Sequence, residues 1–331
     1  MGECILAGDV GGTKANLALL PADEGGWAPL KEATLPSGGF EGLESLVQTF
    51  LGQDPAPLAA ACLGIAGAVR DGSVESPNLP WRADRERLRR ALGLSRVELI
   101  NDLLATAYGL EALPPERLAV LNPGAPGAAG TRALVAAGTG LGEAVLYWDG
   151  QRHLPFPSEG GHADFAPRGE LQVELLRYLD ARFGRTSVER VLSGPGLVHI
   201  YRFLLETGRG TQPGWLAAEL EKGDPAAAIA EAGLSGRDPL CAQALDLFVR
   251  VYGAEAGNLA LKAFATGGVY LGGGIAPKIL PKLRERPFLE AFVDKGRLSV
   301  VLADIPVWVI LDPKTALYGA AVYARRMLGQ G

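Results

Sequence analysis

Hydrophobic positions near the amino terminus fall in two runs, Cys4–Ala7 and Ala15–Leu20, separated by Asp9 and Gly11-Gly12-Thr13. Alternating apolar residues on either side of a Gly-Gly pair predict two antiparallel strands joined by a hairpin. A third strand is expected near 30–35, and apolar residues return at helical spacing over Leu43–Leu51. Leu58–Gly64 is an almost unbroken apolar run, the pattern of a strand buried on both faces. A helix over 84–92 and a strand over Val97–Ile100 follow. Strand and helix in alternation after an opening meander predict mixed α/β architecture with both sheet faces covered.

Leu113-Pro114-Pro115 interrupts this pattern and marks a domain boundary near 112–116. The logic then restarts. Ala133–Ala137 and Ala144–Trp148 read as a second strand pair about Gly138-Thr139-Gly140-Leu141-Gly142, and the Pro/Gly-rich stretch Asn122–Gly130 reads as a solvent loop before them. From 170 to 265 the chain is mostly helical, with Leu171, Leu175, Leu176 and Leu179 on one face. Val269–Leu271 returns to strand, and a last helix covers Ala316–Met327. No simple repeat and no low-complexity tract interrupts the chain.

Composition narrows the class. A chain of 331 residues, 48% hydrophobic and 21% charged, fits two soluble domains, each with its own core. The net charge of −5 and the lack of a Lys/Arg cluster argue against a nucleic-acid partner; the densest basic stretch, Arg82–Arg90, is interleaved with Asp84 and Glu86. The start is not basic, Leu6 breaks a myristoylation pattern, and the longest uncharged apolar stretch, Leu58–Val69, is too short for a bilayer helix of about 20 residues. Cys4, Cys62 and Cys241 are odd in number, scattered and set among apolar residues, as reduced buried thiols are. A cytoplasmic protein with no membrane partner is expected.

Candidate chemistry lies in the glycine hairpins. Glycines let backbone N–H groups converge on an anion, Thr13 adds a hydroxyl, and Asp9 could hold a hydrated Mg²⁺. An ordinary Gly-Gly hairpin is the plain alternative. A second such hairpin, with Gly138, Thr139 and Gly140, favours phosphate binding. Walker A spacing fails between Gly8 and Lys14, and the Rossmann glycine pattern fails at Glu143. Asp102 follows a strand where a helix starts, so it reads either as a helix cap or as a carboxylate at a crevice. Glu159 and His162, three apart on a glycine-rich loop, suit the hydroxyls of a sugar; no third ligand at suitable spacing supports a metal.

The two hairpins resemble the phosphate loops of the sugar kinase, heat-shock protein and actin superfamily. Leu63-Gly64-Ile65-Ala66-Gly67, Ile100-Asn101-Asp102, Ser158-Glu159-Gly160-Gly161-His162, Val191–Leu197 and Gly267–Ile275 then follow in the order found in bacterial glucokinases of the group outside the repressor–kinase (ROK) relatives. The resemblance covers about nine-tenths of the chain. It implies a two-domain α/β, ribonuclease H-like (actin-like ATPase) fold. Residues 1–112 with 314–331 would form the small domain and 113–313 the large one, with an ATP and sugar cleft between them that closes on the sugar. It implies ATP-dependent phosphorylation of the glucose 6-hydroxyl by a homodimer, with Asp102 as general base and Asn78, Asn101, Asp102, Glu159, His162 and Glu189 on the sugar. Gly8, Asp9, Val10, Gly11, Gly12, Thr13, Gly138, Thr139, Gly140, Gly272, Gly273 and Gly274 would hold ATP, and Asp9 would hold Mg²⁺ through water. Glu189 also suits the first turn of a short helix begun by Ser187, and Asn78 between prolines suits a turn. A kinase of a related hexose, mannose, fructose or an N-acetylhexosamine, is the alternative, because epimers differ by one hydroxyl. Sugar-sensing ROK repressors carry an N-terminal helix-turn-helix that is not seen here, and an actin-like or chaperone ATPase would not need Asn101-Asp102 together with Glu159 and His162.

Overall fold

The computed structural model describes residues 2–23, 26–53, 56–75, 79 and 81–329, arranged in two compact units. One unit comprises residues 1–117 and 312–331, the other 118–311.

The first unit opens with the hairpin of β1 (Cys4–Val10) and β2 (Lys14–Pro21), followed by β3 (Lys31–Pro36), α1 (Leu43–Leu51) and β4 (Leu58–Ile65). A small three-stranded meander, β5 (Val69–Arg70), β6 (Ser73–Val74) and β7 (Ala83–Asp84), leads to α2 (Arg85–Leu92), β8 (Val97–Asn101) and α3 (Asp102–Gly109). The main sheet runs β3-β2-β1-β4-β8. β1, β4 and β8 are parallel, and their carboxyl ends share one edge because Asp9 pairs with Gly64 and Ile65 pairs with Asn101. Side chains alternate between faces. Leu6 and Val10 of β1 join Leu46, Phe50 and Leu88 of α1 and α2, whereas Ile5 and Ala7 join Ala105 of α3 on the opposite face.

The second unit adds β9 (Leu118–Asn122), β10 (Arg132–Ala137), β11 (Leu141–Trp148) and β12 (His153–Ser158). Helices α4 (Gly169–Phe183), α5 (Gly194–Glu206), α6 (Gly214–Lys222), α7 (Pro225–Leu234) and α8 (Pro239–Ala263) follow. β13 (Val269–Gly272), α9 (Leu280–Leu283), α10 (Arg286–Val293), α11 (Ser299–Ala303) and β14 (Val307–Ile310) complete it. The sheet order is β12-β11-β10-β13-β14-β9, with β10, β13 and β14 parallel. α8 starts cleanly because the Asp238 carboxylate accepts from Cys241 N–H at 2.7 Å and Pro239 needs no donor partner in the first turn. It is buried along most of its length, and the Tyr252 hydroxyl donates to the Val135 carbonyl at 3.2 Å, tying helix to sheet.

The chain returns to the first unit in α12 (Thr315–Arg326), where Leu317, Ala320, Ala321 and Ala324 cover the sheet face beside α3. Contact between α12 and α3 is backbone to backbone: a Cβ on Gly319 would collide with the Ala105 carbonyl. Among the described residues no helix is long and apolar enough to cross a membrane.

The stretch expected as a solvent loop, 122–130, is in fact partly packed. A Cβ on Gly124 would stand 2.5 Å from Pro306 N, and the Ala125 N–H donates to Asp304 O at 2.8 Å.

Candidate active site

In the first unit the sheet edge gathers two carboxylates. Asp9 stands at the end of β1, half-buried, and the Asn16 side-chain amide directly across the hairpin donates to its Oδ2 at 3.4 Å. Asn16 is itself oriented by the Thr34 hydroxyl, which donates to its Oδ1 at 2.9 Å. Burial pushes the Asp9 carboxyl above the usual carboxylate range, against the Asn16 hydrogen bond and the charge of Lys14. The hairpin tip is pinned from behind: Ser37 donates its hydroxyl to Gly11 O at 2.6 Å and its N–H to Thr13 O at 3.0 Å. The Gly11 N–H is turned into the hairpin, onto Lys14 O at 2.9 Å.

Asn101, the last residue of β8, caps α3. Its Oδ1 accepts from Leu103 N–H at 2.9 Å and Leu104 N–H at 3.3 Å, while its Nδ2 donates to Gly67 O at 3.0 Å. Capping therefore falls to Asn101, and Asp102 is left as the first helical residue with Oδ1 accepting from Leu103 N–H at 2.9 Å. Burial raises the Asp102 carboxyl to about 6, partly offset by the Leu103 hydrogen bond and reinforced by the negative charge of Asp9. A half-buried carboxylate that is more basic than usual, and not consumed as a cap, is suited to taking a proton near neutral pH.

In the second unit the Gly138–Gly140 turn is held by two neighbours. The Gly194 N–H at the start of α5 donates to Gly138 O at 2.8 Å, and Ile275 N–H, past the turn after β13, donates to Ala137 O at 3.2 Å. Thr139 is exposed at the tip. Gly273 and Gly274 reach the surface, whereas Gly272 is buried in the strand between Leu134, Ala136 and Ile310. Gly8 is likewise enclosed by Leu17 and Leu63, and Val10 points into the core, so neither offers a side-chain face to a ligand.

Glu159, His162 and Glu189 lie on one connected piece of the second unit. The Glu189 Oε2 accepts from Leu141 N–H at 2.9 Å, and its Oε1 stands 4.0 Å from His162 Nδ1. Gly160–His162 form a 3₁₀ turn. Its two glycines are required by packing, since a Cβ on Gly161 would collide with the Leu141 carbonyl and one on Gly160 with the Glu143 carboxylate. Arg185 fixes the far side, donating to His162 O at 2.7 Å and to Asp164 at 2.8 Å. His162 is 59% exposed, and among the described residues the exposed Glu159 carboxylate has no hydrogen-bond or ion-pair partner. Asn78 lies outside the described residues.

Sequence reading missed Asn16 and Glu143. The signal for Asn16 was available, because a seven-residue offset across a Gly-Gly hairpin sets it opposite Asp9.

A sequence model of the glucokinase family matches residues 6–327. The chain is 43% identical to the glucokinase of Nostoc punctiforme over 338 residues, covering 98% of this chain and 99% of the relative. It is 42% identical to the Synechocystis glucokinase over 353 residues, covering 98% of each. Among solved structures, a glucokinase from an Antarctic psychrotroph superposes with a TM-score of 0.85 at 31% identity, covering 98% of this chain and 100% of that one. A ROK family glucokinase from Streptomyces griseus, in complex with glucose and AMPPNP, gives a TM-score of 0.64 at 23% identity, with 98% and 99% covered, a likeness of fold.

Proposed function

The chain belongs to the glucokinase family, with the actin-like ATPase fold, and we propose the following roles for its residues in the phosphorylation of glucose by ATP. It is an ATP-dependent hexose kinase. Asp102 is the general base, supported by one observation above the others: its carboxyl is raised to about 6 while Asn101 carries the capping bonds. The sugar 6-oxygen attacks the γ-phosphorus, the bond to the β–γ bridging oxygen breaks, ADP leaves with the electron pair, and the hydroxyl proton passes to Asp102. Glu159, His162 and Glu189 bind sugar hydroxyls, Glu189 also accepting from Leu141 N–H at the base of the loop. Asn101 offers the second N–H of its amide, and Asn78 adds a further sugar contact.

Phosphates rest against the hairpin tips Gly11–Thr13 and Gly138–Gly140, with the positive end of α5 behind the second of these. Gly273 and Gly274 receive the adenosine. The Gly11 N–H is committed to Lys14 O and the Gly138 N–H to Gly140 O, so the donors lie further along each turn. Mg²⁺ accompanying ATP needs one or two carboxylates and keeps most of its water. Asp9 fits that demand as a single half-buried carboxylate, and among the described residues no cluster of three or more His, Cys, Asp or Glu forms a protein-only cage. Bound through water to Asp9, the ion would neutralise phosphate charge. The proposal extends to a cytoplasmic homodimer, whose mass ultracentrifugation would give.

Glu159→Gln keeps the shape and removes the charge. It is expected to raise KM for glucose about 10- to 100-fold, the range for losing a charged hydrogen bond, with affinity for an ATP analogue measured without sugar unchanged. A variant that loses nucleotide affinity and keeps glucose affinity would overturn the placement of this loop. The base must be ionised, so kcat at saturating glucose and ATP should rise with pH and level off above about 6. An acid limb near 4 would show that Asp102 is an ordinary surface carboxylate.

A further inference from the structure

Glu143 is 1% exposed on β11 and Glu255 is 5% exposed on α8, both in the second unit, and neither has an assigned part in the reaction. Glu143 is the register partner of Ser158, the residue that opens the Ser158–His162 loop. Its Oε2 lies under Gly160, close enough that no side chain fits there, and the Gly160 N–H is turned to the Ser158 hydroxyl at 2.9 Å instead. The Oε1 atoms of Glu143 and Glu255 receive no hydrogen bond. A buried carboxylate oxygen left in that state is expensive.

The surroundings show how the shortfall is met. Glu255 Oε2 accepts from Asn258 Nδ2 at 2.9 Å, and its Oε1 stands 3.7 Å from Lys262 Nζ. Lys295 fixes Asn258 from behind, donating to its Oδ1 at 2.7 Å and to Ala254 O at 2.9 Å. α8 thus presents Glu255, Asn258 and Lys262, the segment after α10 presents Lys295, β12 and its turn present only Ser158 and Gly160, and Val135 of β10 pairs with Glu143. Asn258 and Lys262 serve Glu255, and Lys295 serves Asn258. Glu143 lies within hydrogen-bonding reach of Glu255, so one proton shared between the two carboxyls would supply the bond that Glu143 Oε1 lacks.

We propose that Glu143 and Glu255 are a positioning pair that holds one proton between them and thereby seats the Ser158–His162 loop for sugar binding. The inference rests on the reading that this loop binds the sugar. With the proton present, Glu143 donates to the Glu255 carboxylate, which Asn258 and Lys262 support. When the proton leaves to solvent, two buried carboxylates face each other beneath Gly160 and press the loop out of place. Burial first, and Glu255 second, push the Glu143 carboxyl up to about 7, against the charge of Lys262, so the change falls within the working range of pH.

The test is the glucose KM of wild type, Glu143→Gln and Glu255→Gln between pH 6 and 9 at saturating ATP, with KM for ATP as control. In wild type KM for glucose should rise about 3- to 10-fold from pH 6.5 to 8.5, following the lost proton, with KM for ATP level. Either variant leaves at most one charge in the pair, and its profile should be flat. If one variant does not fold, as judged by its melting transition, the other still decides the question. A wild-type profile without the rise, or a folded variant that keeps the full rise, would overturn the pair. The Glu159→Gln result separates the two readings: an unchanged glucose KM there sinks the sugar loop, whereas a raised KM with a wild-type pH profile in Glu143→Gln sinks the pair alone.

Discussion

Asp102→Asn is expected to lower kcat by about 10²- to 10⁴-fold, the usual contribution of a positioned base, while making the protein more stable at neutral pH. Asparagine keeps the side-chain oxygen that accepts from Leu103 N–H, so α3 should start as before. The stability gain follows from the raised carboxyl. Its contribution is fully present below the ordinary value of 3.8 and is lost as pH climbs to about 6, so at pH 7 the wild type bears the whole penalty. Asparagine does not ionise, and relief of about 1–2 kcal/mol is expected for a half-buried group. Calorimetry at pH 7.5 and at pH 4 should show the variant melting higher at the former, with the difference shrinking at the latter. A variant with near-normal kcat would leave Asp102 as no more than a first-turn residue.

Gly138→Val should raise KM for ATP at least about tenfold by putting a branched Cβ where phosphate oxygens approach backbone. What gives the experiment its force is the space around this glycine. A Cβ there meets no protein atom within 4 Å, so the fold should be intact and the loss should report the ligand. Glucose binding without nucleotide should be unchanged. Gly273 makes the opposite control: its φ is +78° and a Cβ would collide with the Ala137 carbonyl, so substitution there damages the fold itself. Unaltered KM for ATP in Gly138→Val would reduce this turn to an ordinary hairpin.

The two glycine hairpins were legible because apolar alternation and tight turns are local, although β11 starts at Leu141, three residues before the expected Ala144, so that Leu141 and Gly142 belong to the strand and not to the turn. The run expected over Leu58–Gly64 extends to Ile65, and the last helix is displaced by one residue at each end. β12 was not legible. Pro155 and Pro157 argue against a strand, and they are tolerated because β12 is an edge strand with an unpaired side. The four-residue β14 was too short to show a period. The cap expected at Asp102 falls one residue earlier, and backbone geometry is the reason: Asn101 is extended and Asp102 is the first helical residue. Glu143 stood out in the sequence only as the residue at which the Rossmann pattern fails, because its neighbour Glu255 lies 112 residues further along. In Ser158-Glu159-Gly160-Gly161-His162 the glycines drew attention to the ligand, although their nearest physical cause is the surface of β11 beneath them.

The contact between α12 and α3 also sets an order of assembly. α3 carries Asp102 at its first turn, and the face of the sheet on which it lies is completed only by residues 315–326. During synthesis the second unit, 118–311, is made in full before this segment. A nascent chain can therefore finish the Gly138–Gly140 turn and the Ser158–His162 loop while the apolar face formed by Ile5, Ala7, Ala18 and Cys62 still faces water. A chain stopped before Thr315 would be inactive and prone to stick to its neighbours through that face. The full chain gains α3 in its supported form only after α12 has been translated.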